Sequence, residues 1–304
     1  MPSENEVFGA AGAHSDSAAG GSASGAAQGG ASMLGDGGGD DNGGADLLAG
    51  RGGGASNSGT SGAAGVSGAS VGSSGSTGAS AFDPEAGLVA YFTFDEPSGA
   101  VAANAKDSSK NAKCVGTCTR PVGQLGQAFG IRNDVSPSDW IELPAGIFSG
   151  YSSITLSVWL RDRSTSRTGA PLFHFSSGAK EAISLIPDDR NAKTSAEGAH
   201  LSGLHAGTSF VELWSPKPNL TDKDWHQVVF SWSAASIDLY IDGKPVGTDP
   251  SPTVLPSQLG TTSPNYLGRA PDDTSLAFYG EIDDLRIYDR VLSAAQVAQL
   301  YKVR

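Results

Sequence analysis

Basic residues, histidine and long apolar runs are all scarce in this sequence, and each scarcity removes a class of function. Twenty Lys and Arg stand against 32 Asp and Glu, a formal net charge of −12, and no basic run exists to neutralise phosphates. Nucleic acid and anionic membranes are therefore excluded as partners. No stretch approaches the eighteen or so apolar residues that cross a bilayer as a helix, so no transmembrane segment is expected. The five histidines (His14, His174, His200, His205, His226) adjoin neither a Gly-x-Ser-x-Gly turn nor a His-Glu-x-x-His helix, which removes two common hydrolase signatures. A metal pair of His200 and His205 is disfavoured, and His226 beside Trp225 reads as structural. The opening MPSENEVFGAAGAH lacks a basic n-region and an apolar h-region and is not read as a signal peptide.

What is abundant is unevenly placed. Residues 1–80 hold 24 of the 42 glycines, one aromatic (Phe8) and one basic residue (Arg51) against seven acidic ones. So little apolar surface cannot offset the entropy of ordering the chain. Residues 1–85 are accordingly expected to be a disordered Gly/Ala/Ser-rich tether, and residues 86–304 one folded domain. A long tether and a close cysteine pair both suit an exported surface protein, so an extracellular or cell-surface location is expected despite the missing signal.

Beyond the boundary, short β-type runs recur between Gly, Pro, Asn, Asp and Ser, the spacing of a β-sandwich. The clearest are 88–94, 154–160, 170–175, 210–214, 226–232, 237–241 and 282–288. In 154–160, Ile154, Leu156, Val158 and Leu160 alternate strictly with Thr155, Ser157 and Trp159, which assigns one face inward. The same alternation in 282–288 places Asp283 on a face with Leu285 and Ile287, an oddity. Asp242-Gly243 predicts a tight hairpin turn into KPVG. One helix is expected at the end, opened by a capping box of Ser293 and Gln296 and carrying the stripe Val297, Leu300, Tyr301.

Taken in order, GLVAYFTFDEPSG (87–99), DSSKNA (107–112), GQLGQAFGI (123–131), SITLSVWLR (153–161), DWHQVVFSW (224–232), LYIDGKPVG (239–247), YLGR (266–269) and YGEIDDLRIYDRVLSAAQVAQLY (279–301) carry a resemblance. The chain resembles the laminin-G-like jelly-roll family within the concanavalin A-like lectin and glucanase superfamily. The resemblance implies an all-β fold: a two-sheet antiparallel β-sandwich jelly roll whose first strand pairs with its last. That pairing sets Asp95 near Glu281 and Asp283, with Asp107 a short loop away. It further implies a structural Ca²⁺ at this seam, with Asp107 and Asp283 as ligands and Asp95 as a third. Converging carboxylates repel unless a cation or hydrogen bonds compensate, and an all-oxygen site suits calcium. The competing reading is that each Asp caps backbone amides in a turn.

Cys114 and Cys118 are the only cysteines and enclose Val-Gly-Thr. A disulfide pinning this loop is the first reading; zinc would need two further ligands that no familiar spacing supplies. Trp140, Trp214 and Tyr279 are candidate platforms for sugar rings, against the plainer reading of core or edge packing. Asn219-Leu-Thr221 is a glycosylation sequon. Glu281-Ile-Asp283-Asp284-Leu-Arg286 approaches the Glu-x-Asp-x-x-Glu strand of related glycoside hydrolases, but Arg286 stands where the second acid belongs. A retaining hydrolase needs two carboxyls close together. The expectation is therefore a non-catalytic binding module for a carbohydrate or an extracellular protein. A purely structural envelope or adhesion domain and a glycoside hydrolase are the alternatives.

Overall fold

The computed structural model describes residues 82–132, 139–164, 169–189, 198–215, 220–271 and 277–303. The expected tether up to residue 81, His14 and the sequon's Asn219 lie outside the described residues.

In chain order the strands are β1 (Leu88–Phe92), β2 (Val101–Ala102), β3 (Ala112–Val115), β4 (Phe129–Ile131), β5 (Trp140–Leu143), β6 (Ile154–Asp162), β7 (Phe173–Ser176) and β8 (Ala182–Ile186). Then follow β9 (Ala199–His205), β10 (Thr208–Ser215), β11 (His226–Trp232), β12 (Ile237–Ile241), β13 (Lys244–Asp249), β14 (Asn265–Leu267) and β15 (Gly280–Tyr288), before one helix, α1 (Ala294–Leu300). The first sheet runs β1-β15-β6-β11-β12-β13, with β4 also paired to β15; the second runs β10-β9-β8-β7-β14-β5-β3-β2. The first strand does pair antiparallel with the last, Phe92 opposite Leu285.

Alternation in both sheets sends one face of each into a shared core. Phe92, Leu156, Phe230 and Ile287 meet Phe173, Phe175, Leu185 and Ile141 there. Phe173 and Phe230 stack at 5.5 Å between ring centroids. Each such side chain contributes roughly 1.5–3 kcal/mol by leaving water.

Strict alternation fails within β15. Ile282, Leu285 and Ile287 all reach the core, which a two-residue period cannot do. The register against β6 shifts between Asp283 and Arg286, and Asp284 has φ 47°. A β-bulge has inserted one residue. Asp283 consequently does not share the face of Leu285 and Ile287, and the expected oddity disappears.

The hairpin and the helix form as their sequences dictate. Asp242 (φ 51°) and Gly243 (φ 73°) make the turn between β12 and β13, both left-handed as a two-residue hairpin requires. The Asp242 carboxylate also accepts from the Gln227 N–H at 3.0 Å and sits 2.8 Å from His226 Nδ1, while Asp222 lies 3.0 Å from Nε2. The bond to Asp242, with help from Asp222 and against burial, pushes His226 up to about 9. Because the folded value lies above the unfolded one, this stabilisation is complete below about pH 6.5 and is lost as pH rises through 9. Denaturant titrations from pH 6 to pH 10 should show a loss of about 2 kcal/mol, Asp222 being partly exposed and screened; His226→Gln should flatten the profile.

In α1, Ser293 Oγ accepts from the Gln296 N–H at 3.3 Å and Gln296 Oε1 accepts from the Ser293 N–H at 3.0 Å. Val297 and Leu300 pack against Val229, Tyr240 and Tyr288 on the outer face of the first sheet. Ser293→Ala should cost about 1 kcal/mol in urea unfolding, with the slope unchanged.

Candidate functional site

Two places collect the residues that sequence singled out: a carboxylate seam beside β15 and the outward face of the second sheet. The seam follows from strand pairing. β6 runs along the whole of β15, so β1 (against Leu285–Tyr288) and β4 (against Gly280–Ile282) share its other flank. Between them, at the bulge, the flank carries no strand. The loop before β4 fills it.

Asp283 is wholly buried; its Oδ2 accepts from the Leu125 N–H at 2.8 Å, and its Oδ1 has no partner. Asp95 Oδ1 accepts from the Gln127 N–H at 2.7 Å. Glycine is required on this loop, because a Cβ on Gly126 (φ +60°) would run into the Asp95 carboxylate and one on Gly123 into that of Asp283. Burial pushes the Asp283 carboxyl up to about 7 against the Leu125 N–H, with the charges of Asp284 and Asp95 adding to the rise.

Asp107 is not drawn into this pair by any contact. It caps the 3-10 turn Ser108–Lys110, accepting from the Ser109 N–H at 3.0 Å and the Ser109 hydroxyl at 2.6 Å. Those bonds, with Lys110 at 3.7 Å, hold its carboxyl below the usual range. Among the described residues no three His, Cys, Asp or Glu side chains converge as metal ligands. Toward a hard cation the seam offers oxygen donors, one of them a buried oxygen without a partner; the glycines let the loop backbone lie close against the two carboxylates.

The hydrolase-like run is held otherwise. Glu281 accepts from Arg161 Nε at 3.0 Å and Arg163 Nε at 2.5 Å, and Arg161 lies over the Trp225 ring. Asp284 accepts from Arg286 Nε at 2.6 Å and from the Tyr91 hydroxyl at 2.9 Å. Cys114 and Cys118 form a disulfide with Cα atoms 6.0 Å apart, which ends the zinc reading.

The second sheet turns Trp140, His174, Ser184, His200, Ser202, Trp214 and Tyr266 away from the core, since each alternates with a core residue. In register across six strands lie Glu212, Ser202, Ser184, His174, Tyr266 and Glu142. Trp214 and Trp140 thus occupy opposite margins of one face. Trp214 stacks on His200 at 3.7 Å, and His200 is held between Asp189 (2.7 Å) and Glu212. Trp140 meets Tyr266 edge-on, with the Arg269 guanidinium over both rings.

Between these margins two hollows open around His174, one of about 440 Å³ reaching Ser176, Leu204 and Pro264, the other of about 180 Å³ reaching Pro171, Ser184 and Ser202. His174 Nδ1 lies 2.6 Å from Ser184 Oγ. Sequence reasoning missed this centre; the only signal was a histidine inside a short strand. Tyr279 lies elsewhere, lining a hollow of about 270 Å³ with Thr119, Arg163 and Glu281.

A family model described as the concanavalin A-like lectin/glucanases superfamily matches residues 135–298. No curated protein matches the sequence. Among solved structures, domain 4 of the extracellular arabinanase AbnA from Geobacillus stearothermophilus, in complex with arabinotriose, is 20% identical with a TM-score of 0.57; the match covers 70% of this chain and 98% of that domain. The binding domain of botulinum neurotoxin DC, in complex with rat synaptotagmin II, is 12% identical (TM-score 0.53), with 72% of this chain and 52% of the toxin chain covered. Trypanosoma rangeli sialidase is 19% identical (TM-score 0.53), with 72% of this chain but 33% of the sialidase covered. At these identities the likeness is one of fold.

Proposed function

The chain belongs to the concanavalin A-like lectin/glucanases superfamily, and on that footing we propose that it is a non-catalytic carbohydrate-binding module whose site is the outward face of the second sheet. The observation that carries this reading is the pair of hollows around His174, on the same sheet face as Trp140, Tyr266 and Trp214. Shallow polar hollows with apolar walls suit sugar rings, which offer hydroxyl edges and C–H faces. Support also comes from the arabinanase domain, which binds arabinotriose and matches this fold along nearly its whole length.

Catalysis is disfavoured because Glu281 is occupied by two arginines and Asp283 by the seam. Hydrolysis needs one carboxyl poised as acid and another as base or nucleophile. The disulfide suits an oxidising, extracellular setting. No helix among the described residues is long and apolar enough to cross a membrane.

Calcium belongs to the same reading. Asp283 and Asp95 would hold it, completed by main-chain carbonyls and water, and the ion would neutralise the seam's two carboxylates. Its role would be to fix the loop before β4.

Affinity electrophoresis of the full chain through gels containing arabinan, xylan, β-glucan or galactomannan tests the proposal, with released reducing ends measured in parallel. Retardation by at least one polymer without release is expected. Release above blank would overturn the non-catalytic reading, and no retardation by any polymer would overturn carbohydrate binding.

A further inference from the structure

We propose that the groove consists of two consecutive subsites sharing His174, and that it selects a linear, uncharged glycan read over at least two adjoining sugar units. This rests on the carbohydrate-binding reading above and narrows it to a ligand class and a chain length.

The two hollows are separate spaces with one residue common to both, His174. They follow one another along the strands. Ile186 borders the smaller hollow and Ala182 the larger. These residues lie at opposite ends of β8, four residues apart, or about 13 Å. That length exceeds a single sugar ring and accommodates two in succession. The pair partner of His174 in β8, Ser184, stands between them and fixes the imidazole through its 2.6 Å contact. A ligand that fills one hollow alone touches the saddle from one side; a ligand that fills both closes on His174 from two.

The walls set the charge of that ligand. Among the described residues, no Lys, Arg, Asp or Glu lines either hollow. Polar character comes from serine hydroxyls, such as Ser176 and Ser263 in the larger and Ser184 and Ser202 in the smaller, and from the imidazole. Pro264, Pro271 and Leu204 give the larger hollow an apolar floor for C–H faces. Of the charges on the same sheet face, Arg269 lies over Trp140 and Tyr266, and Asp189 and Glu212 hold His200; Lys180, exposed next to Ala179 at the rim of the larger hollow, is not among the lining residues. A uronate or sulfated sugar would leave its anion in a wall that supplies no cation, an uncompensated desolvation. Neutral sugars lose nothing of that kind.

The test is isothermal titration of the full chain with arabinotriose, xylotriose, cellotriose and mannotriose, each beside its monosaccharide, with trigalacturonate as the acidic comparator. At least one neutral trisaccharide should bind, its monosaccharide at least tenfold more weakly, and trigalacturonate not at all. His174→Ala should weaken the trisaccharide at least tenfold, about 1.4 kcal/mol. Leu204→Trp, which fills the larger hollow, should reduce the trisaccharide to the affinity of the monosaccharide, and unchanged melting curves establish that both variants fold. Equal affinity for monosaccharide and trisaccharide, binding of trigalacturonate, or a neutral trisaccharide insensitive to both substitutions would overturn the two-subsite assignment while leaving carbohydrate binding intact. Binding of no probe, together with no retardation by any polysaccharide, would remove carbohydrate binding and this assignment together.

Discussion

Arg286→Ala should lower the stability of the folded domain by about 3–5 kcal/mol, the cost of leaving one member of a buried ion pair without its partner. Arg286 and Asp284 are 6% and 4% exposed. The guanidinium lies 2.6 Å from Asp284 Oδ1 through Nε and 3.0 Å from Oδ2 through Nη2, and it faces the Tyr91 ring. Tyr91 donates its hydroxyl to the same carboxylate, and burial with the Asp284 charge raises it to about 12, so it stays a donor at any working pH. Removing Arg286 leaves Asp284 with one neutral donor in a site that water does not reach. Thermal melts should fall by about 10 °C, since 1 kcal/mol is worth roughly 2–4 °C in a domain of this size. Asp284→Asn with Arg286→Met should recover most of the loss, because no buried charge is then left unpaired, the Asn carbonyl can still accept from the Tyr91 hydroxyl, and Asn tolerates the left-handed backbone at 284. A double variant no more stable than Arg286→Ala would show that the network contributes something other than paired charge.

Removing divalent cations should have the second large effect. If Asp283 and Asp95 hold calcium in the folded chain alone, 1 mM Ca²⁺ at a hundredfold excess over the dissociation constant stabilises by about 2.7 kcal/mol. A chelator should therefore lower the melting temperature by about 5–10 °C, and excess calcium should restore it. Asp283→Asn should abolish the calcium response, whereas Asp107→Asn should retain it, because Asp107 is engaged in its own turn. Identical melts with calcium and with chelator would remove the cation from the seam. A response lost in Asp107→Asn but kept in Asp283→Asn would place it elsewhere.

Much of the first sheet was legible because its strands are long. β6 and β11 span nine and seven residues, long enough for the recurrence of Leu156, Val158 and Leu160 or of Val228, Phe230 and Trp232 at every second position to show above composition. β2, β4 and β14 have two or three residues each. No period can be read in so few, and tertiary pairing alone defines them. The bulge at Asp284 was illegible for a related reason: an inserted residue leaves the composition of the strand unchanged and alters only its phase. Asp283 was singled out correctly as unusual, yet the face assigned to it was wrong.

The site was read less well than the fold. Trp140 and Trp214 share a face because the register carries one face across strands five positions apart in one sheet order, a non-local fact that no spacing encodes. Tyr279 belongs to a different hollow for the same reason. His174 carries no motif; it matters because β8 and β14 flank β7 and bring Ser184 and Tyr266 beside it. The disulfide, in contrast, was legible from two cysteines and a short loop.

The claim that the second sheet's outward face is the binding site is tested most directly by chemical-shift mapping. The isotopically labelled full chain would be titrated with trisaccharide fragments of whichever neutral polysaccharide retards it. Shifts should cluster at His174, Ser184 and Ser202 and spread to Ser176 and Leu204 as the ligand fills both hollows. Shifts centred instead on Thr119, Arg163 and Tyr279, with the second sheet unmoved, would contradict the assignment and move the site to the other sheet.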